Sequence, residues 1–167
     1  MRISNGGLVS MLALMALTAC NGAGKQPAEP AATFVKAHDV KQLMAVVVQP
    51  QADVFWRSAG SVTDETGEHD LTPTTDAGWL ATRSAAATVA EMGNLLMTPQ
   101  YAQGRGEDWM QFSKSLVEIG QRAEKAAADR NSDAIFETGG TMYNVCSACH
   151  QAYPPKADPA ATAPKAE

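Results

Sequence analysis

The side chains best suited to chemistry stand together near the C-terminus, in the segment Cys146-Ser147-Ala148-Cys149-His150. Two thiols three residues apart lie on one face of a helix, and His150 follows Cys146 by four residues, so all three project from that face. Cys-x-x-Cys-His is the attachment motif of a c-type haem, in which each thiol forms a thioether with one vinyl group and the histidine coordinates the iron. The segment therefore predicts one covalent haem c with His150 as an axial ligand.

Two other readings of these residues have less support. A thioredoxin-like dithiol places Cys-x-x-Cys at the start of a helix that follows a strand, where the helix dipole lowers a thiol pKa, but this motif stands at the end of a predicted helix. A zinc site would need His150 and one further ligand, for which only His38 and His69 remain, and the chain has no second Cys-x-x-Cys. Haem is the stronger prediction because the motif and its position in a helix both fit haem attachment, and so does the export signal described next.

The first twenty residues are typical of an export signal. Arg2 supplies a short basic region, and residues 8–17 form an apolar run too short to span a bilayer. The following Leu17-Thr18-Ala19-Cys20 resembles the lipobox of bacterial lipoproteins, in which the cysteine is acylated and becomes the mature N-terminus. An ordinary cleaved signal with a chance cysteine at position 20 is the alternative.

The lipobox resemblance implies a domain order and a location. Residues 1–19 would be a signal peptide and residues 20–36, rich in Gly, Ala, Pro, Lys and Gln, a flexible linker that begins at the lipidated Cys20. Asn21 after the cysteine is similar to the type sorted to the outer membrane. We therefore expect a periplasmic lipoprotein anchored to a membrane, with the outer membrane favoured. The site of haem attachment in bacteria, outside the cytoplasm, agrees with this location.

Helices must position the haem segment. The chain is 45% hydrophobic but only 6% aromatic, and alanine is abundant, a balance that favours helices over strands. Apolar residues recur at helical spacing in four stretches, residues 37–59, 75–98, 107–129 and 132–153, and no stretch alternates with the period of a strand. We expect an all-α protein, an antiparallel four-helix bundle over residues 37–153 with covalent haem at the end of the fourth helix, and a disordered tail over residues 154–167.

Charge limits the partners. The formal net charge is −5, from 13 basic and 18 acidic residues, and the basic residues form no cluster of the kind that binds a phosphate backbone. Nucleic acid is therefore not an expected partner.

A four-helix chain that ends in Cys-x-x-Cys-His resembles cytochrome c′ and its low-spin relatives, the class II c-type cytochromes. The resemblance covers residues 40–153, and its specific part is the haem segment. It implies that His150 is the proximal ligand and that a residue of the first helix covers the opposite face of the haem. That residue is a non-ligating apolar side chain in cytochrome c′ proper and a methionine in the low-spin relatives. Here it corresponds to Met44, for which a core methionine is the alternative.

The chain departs from the family pattern at two positions. The family usually carries a basic residue four positions after the haem histidine, where this chain has Pro154, although Lys156 is near in sequence. Pro50 interrupts the first helical stretch, and because the apolar spacing continues past it, a kink is expected rather than a break.

The functional expectation is a one-electron carrier with His150 and Met44 as axial ligands, exchanging electrons with a redox partner protein. The alternative is a five-coordinate, cytochrome c′-like protein that binds NO or CO, and a third reading is a haem-free lipoprotein. An enzyme is not expected, since no acid–base or nucleophile constellation accompanies the haem segment. The family resemblance also allows a homodimer.

Two further residues have alternative explanations in the sequence. Gly139 lies seven residues before Cys146, so it permits a close approach either by haem or by another helix. Arg83 suits a haem propionate, but a solvated helix charge is the better-supported role.

Overall fold

A computed structural model of the chain describes residues 33–155, and the unit that begins at Lys36 contains its helices and strands. The signal peptide, Cys20, most of the linker and all but two residues of the tail lie outside the described residues. The elements in chain order are α1 (Val40–Leu43), a π-helical turn (Met44–Val48), α2 (Gln49–Trp56), β1 (Ser61–Asp64), β2 (Gly67–Asp70), α3 (Asp76–Leu96), α4 (Pro99–Ala102), α5 (Glu107–Ala128) and α6 (Ser132–Ala152).

The protein is mostly helical, as predicted, and helices occupy all four periodic stretches. The N-terminus of α3 is set by Thr75, whose hydroxyl accepts a hydrogen bond of 3.1 Å from the N–H of Gly78. At the start of α6 the capping residue is Asn131, which accepts from the N–H of Ala134 at 3.0 Å. Each side chain satisfies a backbone donor that has no partner inside the helix.

The prediction that the chain has no strand was wrong for the segment between α2 and α3. There β1 and β2 form an antiparallel hairpin in which Asp64 pairs with Gly67. Both strands are exposed along their whole length, so burial imposes no apolar alternation and the sequence carries no period-two signal. The turn itself holds the hairpin: Asp64 accepts from the N–H of Thr66 at 2.7 Å, and Gly67 adopts φ 127°.

The four long helical segments are the first helical segment (α1, the π turn and α2), α3, α5 and α6, and they share one apolar core. In it α3 packs along α5, while α6 lies against α5 and α2, and α2 also contacts α3. The closest approach is at Gly120, where a Cβ atom would stand 2.7 Å from the backbone nitrogen of Ala90. A side chain there would push α3 and α5 apart, so only glycine fits. Among residues 33–155, no helix is both long and apolar enough to span a membrane.

The first helical segment continues past Pro50, with a local change of helix type instead of a break. The N–H of Gln49 donates to the carbonyl of Met44, five residues earlier, where an α-helix would use the residue four earlier. Pro50 has no N–H, and its ring would crowd the carbonyl of Val46 in a regular α-helix. The wider π turn relieves that crowding immediately before the proline, and π turns of this kind are frequent at functional sites.

Candidate functional site

All four residues predicted to hold the haem group line one cavity between the first helical segment and the end of α6. They are Met44, Cys146, Cys149 and His150, and the cavity has a volume of about 60 Å³. The remaining walls are almost entirely apolar; they include Val48, Ala52, Trp56, Leu96, Phe112, Leu116 and Val145. The predicted ligands on two sequence-distant helices are therefore neighbours in space.

A wider cleft of about 380 Å³ adjoins this cavity. The cavity and the cleft share Gln49, Trp56, Cys146 and His150, so they meet at the Cys-x-x-Cys-His segment. Pockets for cofactor-sized ligands generally measure about 300–1,000 Å³. The enclosed cavity alone is too small for a porphyrin, and the adjoining cleft supplies the larger space.

The two thiols are in the last turns of α6 and are half-buried. Burial raises the pKa of Cys146, and the neighbouring Cys149 raises it further. Burial also raises the pKa of Cys149, although the positive charge of Arg105 opposes that shift. Both groups are therefore neutral thiols near pH 7. A thioredoxin-like dithiol requires the opposite, a thiol pKa lowered at a helix N-terminus, so the structure counts against that reading.

His150 and Met44 differ in their exposure to solvent. The histidine is exposed in the final turn of α6, with its ring accessible at the cleft. Met44 is half-buried and begins the π turn of the first helical segment. A thioether is a weak, soft ligand and an imidazole a stronger one, and together they form one of the axial pairs that haem proteins use.

Tyr153 fixes the end of α6 against α5. Its hydroxyl donates a 2.6 Å hydrogen bond to Asp108, an interaction that raises the pKa of the phenol. Its ring packs edge-to-face on Trp109, with centroids 5.1 Å apart, and on Phe112 at 6.5 Å. The Trp109 indole in turn donates to the carbonyl of Leu96 at 2.8 Å. This network ties the residue that ends α6, just after the Cys-x-x-Cys-His segment, to α5.

Arg105 places a positive charge beside the motif. Its guanidinium stacks on the Trp109 ring at 3.9 Å from the centroid and lies 5.8 Å from that of Tyr153. It is close enough to Cys149 to act on the pKa of that thiol. Arg105 was not predicted from the sequence, because the family pattern places a basic residue four positions after the histidine, where this chain has Pro154. The cation comes instead from the loop before α5.

Trp56 is the other residue that the sequence did not assign to the site. Its indole N–H donates to the carbonyl of Gly139 at 3.0 Å, and its ring meets Tyr143 edge-to-face at 6.2 Å. A Cβ on Gly139 would stand 3.2 Å from this indole. Contact with Trp56 therefore explains the mid-helix glycine.

The structure also assigns partners to two residues considered above. Arg83 makes two 3.0 Å hydrogen bonds to one oxygen of Glu124, so it serves an α3–α5 ion pair. His69 is exposed in the hairpin and contacts Thr66 and Asp64. Neither His69 nor His38 lines the cavity or the cleft.

Within residues 33–155, no three His, Cys, Asp or Glu side chains are arranged to hold a bare metal ion. A haem iron takes four ligands from the porphyrin and needs at most two from the protein. Met44 and His150 are candidates for those two positions.

Comparisons with known proteins give no relative: no family model, no curated protein and no solved structure matches this chain.

Proposed function

We propose that this protein is an exported monohaem c-type cytochrome, a four-helix bundle that carries one electron at a time. In this proposal Cys146 and Cys149 hold haem c, and His150 and Met44 are the axial ligands of its iron. The observation that carries the proposal is that Met44 lines one apolar cavity with the other three residues, which stand about a hundred positions later in the sequence. A Cys-x-x-Cys-His sequence that occurs by chance is not expected to have a methionine on the opposite wall of an apolar cavity.

The arrangement of the two thiols suits covalent attachment. Each protonated thiol adds its sulfur to one carbon of a vinyl group and its hydrogen to the other, so the addition needs no external oxidant. Cys146 and Cys149 are both free thiols in the structure. Their spacing of three residues on α6 directs both sulfurs to the same side of the helix.

Bound haem would supply an iron that cycles between the ferric and ferrous states. His150 and Met44 would occupy its two axial positions and so exclude exogenous ligands, and this pair raises the reduction potential. Val48, Leu116 and Phe112 would keep water from the iron, and a dry surrounding also disfavours the more highly charged ferric state. These residue roles favour electron transfer over gas binding.

A spectroelectrochemical titration of the purified full chain tests the proposal. We expect haem absorption bands that change reversibly in a single wave fitting one electron per protein. Two or more waves, or bands that do not respond to applied potential, would contradict a monohaem carrier. The protein should be expressed together with the cytochrome maturation machinery. If the purified chain then shows no haem bands, the alternative of a haem-free lipoprotein is favoured.

We further propose that the protein is periplasmic and held at a membrane, preferably the outer one, through a lipid on Cys20. Replacing Cys20 with alanine should move the protein from the membrane fraction to the soluble periplasmic fraction, because a covalent lipid chain is the proposed anchor. The control Asn21→Ala keeps the cysteine and should stay with membranes. Immunoblots of the separated fractions give the measurement, and identical fractionation of the Cys20→Ala variant and the parent would rule out the anchor.

A further inference from the structure

Three shallow cavities lie in a row along α6, and together we call them the α6 groove. The first, of about 570 Å³, lies between the hairpin and the start of α6. The second, of about 260 Å³, shares Phe136 with the first. The third is the 380 Å³ cleft, which shares Trp56 and Tyr143 with the second. The groove follows α6 from Ser132 to Gln151, a length of about 28 Å at the rise of an α-helix.

The middle of the α6 groove is apolar and unusually open to solvent. Phe136 is 70% exposed and Tyr143 is 62% exposed, although both are large aromatic side chains. Trp56, Ala59 and Gly139 complete the walls. Exposed aromatic side chains are typical of the energetically important centre of a protein–protein interface. A groove this long and shallow suits the surface of another protein better than a small molecule, which prefers an enclosed pocket.

The hairpin end of the α6 groove is acidic. Glu68, Asp70 and Asp133 line the first cavity. A backbone hydrogen bond from Thr72 lowers the pKa of Asp70, so this carboxylate is ionised at neutral pH. Among the described residues, none that lines the three cavities is a lysine or an arginine. The complementary surface is therefore one that carries positive charge.

The opposite end of the α6 groove reaches the candidate haem site. Cys146 and His150 line both the cleft at this end and the cavity that Met44 closes. Trp56 lines the second cavity of the groove, the cleft and the cavity that contains Met44. Because haem would occupy the cleft, a protein seated over the other two cavities of the groove would lie beside the haem, and the distance for electron transfer would be short.

We infer that the α6 groove is the docking surface for a redox partner protein with a basic face. The inference rests on the proposed function, because the partner is one that exchanges an electron with the haem. The carboxylates at the hairpin end attract and orient the partner, and the aromatic middle supplies the dry contact. Haem access at the other end makes the docked arrangement productive.

Stopped-flow electron transfer with the full-length haem protein tests this inference. The probe is a basic class I cytochrome c, and p-benzoquinone, which is small and uncharged, serves as reference oxidant. The double variant Glu68→Gln/Asp133→Asn should lower the second-order rate with the probe roughly three- to tenfold at low ionic strength and flatten its salt dependence. Phe136→Ser should lower the rate at all salt concentrations, since it removes apolar contact area.

Two matched controls separate docking from overall charge and overall surface. Glu91→Gln/Glu118→Gln makes the same change in net charge on α3 and α5, away from the groove, and should stay within about twofold of the parent. Leu80→Ser removes a side chain that is 62% exposed on α3 and should have no effect. All rates are expressed relative to the rate with p-benzoquinone, so a disturbance of the haem itself cancels.

Equal effects of the groove variants and their controls would overturn the inference, as would rates unchanged in every variant. A parent dimer in sedimentation experiments that Phe136→Ser dissociates would also overturn it, since a second copy would then occupy the groove. Failure of the underlying proposal looks different: a protein without haem, or one that reacts with neither oxidant, is not an electron carrier. Loss of selectivity toward the basic probe, with the p-benzoquinone reaction intact, rejects only the docking surface.

Discussion

The double substitution Cys146→Ser/Cys149→Ser is expected to remove covalent haem completely. Serine is nearly the same size as cysteine, and both positions are half-buried, so the fold of α6 should survive. A hydroxyl does not add to the haem vinyl groups under the conditions in which a thiol does, and both thioethers are lost together. Extraction with acidified acetone should strip all haem from the variant and none from the parent. The intact mass of the parent should exceed that of the variant by one haem in addition to the small Cys-to-Ser difference, since both share the same N-terminus.

Ser147→Ala is the matched control for this experiment. Ser147 stands between the two cysteines and lines the cleft, and its hydroxyl accepts a 3.3 Å hydrogen bond from Nε2 of Gln151. The substitution changes a side chain within the haem-attachment motif and leaves both thiols in place, so covalent haem should remain. Haem that is fully extracted from the parent would contradict covalent attachment outright.

The second large effect is expected from Met44→Ala. A thioether bound opposite an imidazole fills the sixth position of the iron and favours low spin. Alanine opens that position, so the ferric iron should shift toward high spin and the ferrous protein should bind CO. The reduction potential should fall by roughly a tenth or more of the ~0.8 V range that axial ligation spans. Optical and electron paramagnetic resonance spectra, together with a potential titration, provide the measurements.

Loss of packing needs its own control, because Met44 also touches the core. Met92 on α3 is half-buried against the same core and does not line the cavity. Removing a fully buried methionine side chain costs about 2–5 kcal/mol of stability, so Met92→Ala, at a half-buried position, should lower stability by less than that and leave the spin state unchanged. Spectra are compared at equal folded fraction, measured by circular dichroism.

A parent protein that is already five-coordinate would contradict the Met44 assignment. It would show a high-spin ferric spectrum, bind CO readily and lack the weak charge-transfer band of a thioether–iron bond. The Met44→Ala variant would then differ from the parent in stability alone. In that case the protein would be a gas-binding, cytochrome c′-like molecule, and Met44 a packing residue.

The sequence was a good guide wherever the structure depends on neighbours in the chain. Apolar spacing located the four helical stretches because the period of 3.6 residues is a property of each helix by itself. The stretch predicted to begin at residue 75 agrees with the structure, in which Thr75 caps α3 by accepting a hydrogen bond from a backbone N–H three residues away. The hairpin escaped detection because it buries no face and therefore leaves no periodic pattern.

What the sequence by itself determined is the reactive set, Cys146, Cys149 and His150, whose spacing puts them on one side of α6. Only the tertiary structure decided which residues of other elements lie opposite this set. Met44 reaches their cavity across the helix interface, from a π turn set by Pro50. Arg105 supplies a cation from a loop some forty residues earlier in the chain. The reason is physical: helix periodicity is encoded locally, whereas helix contacts depend on the packing of the whole core.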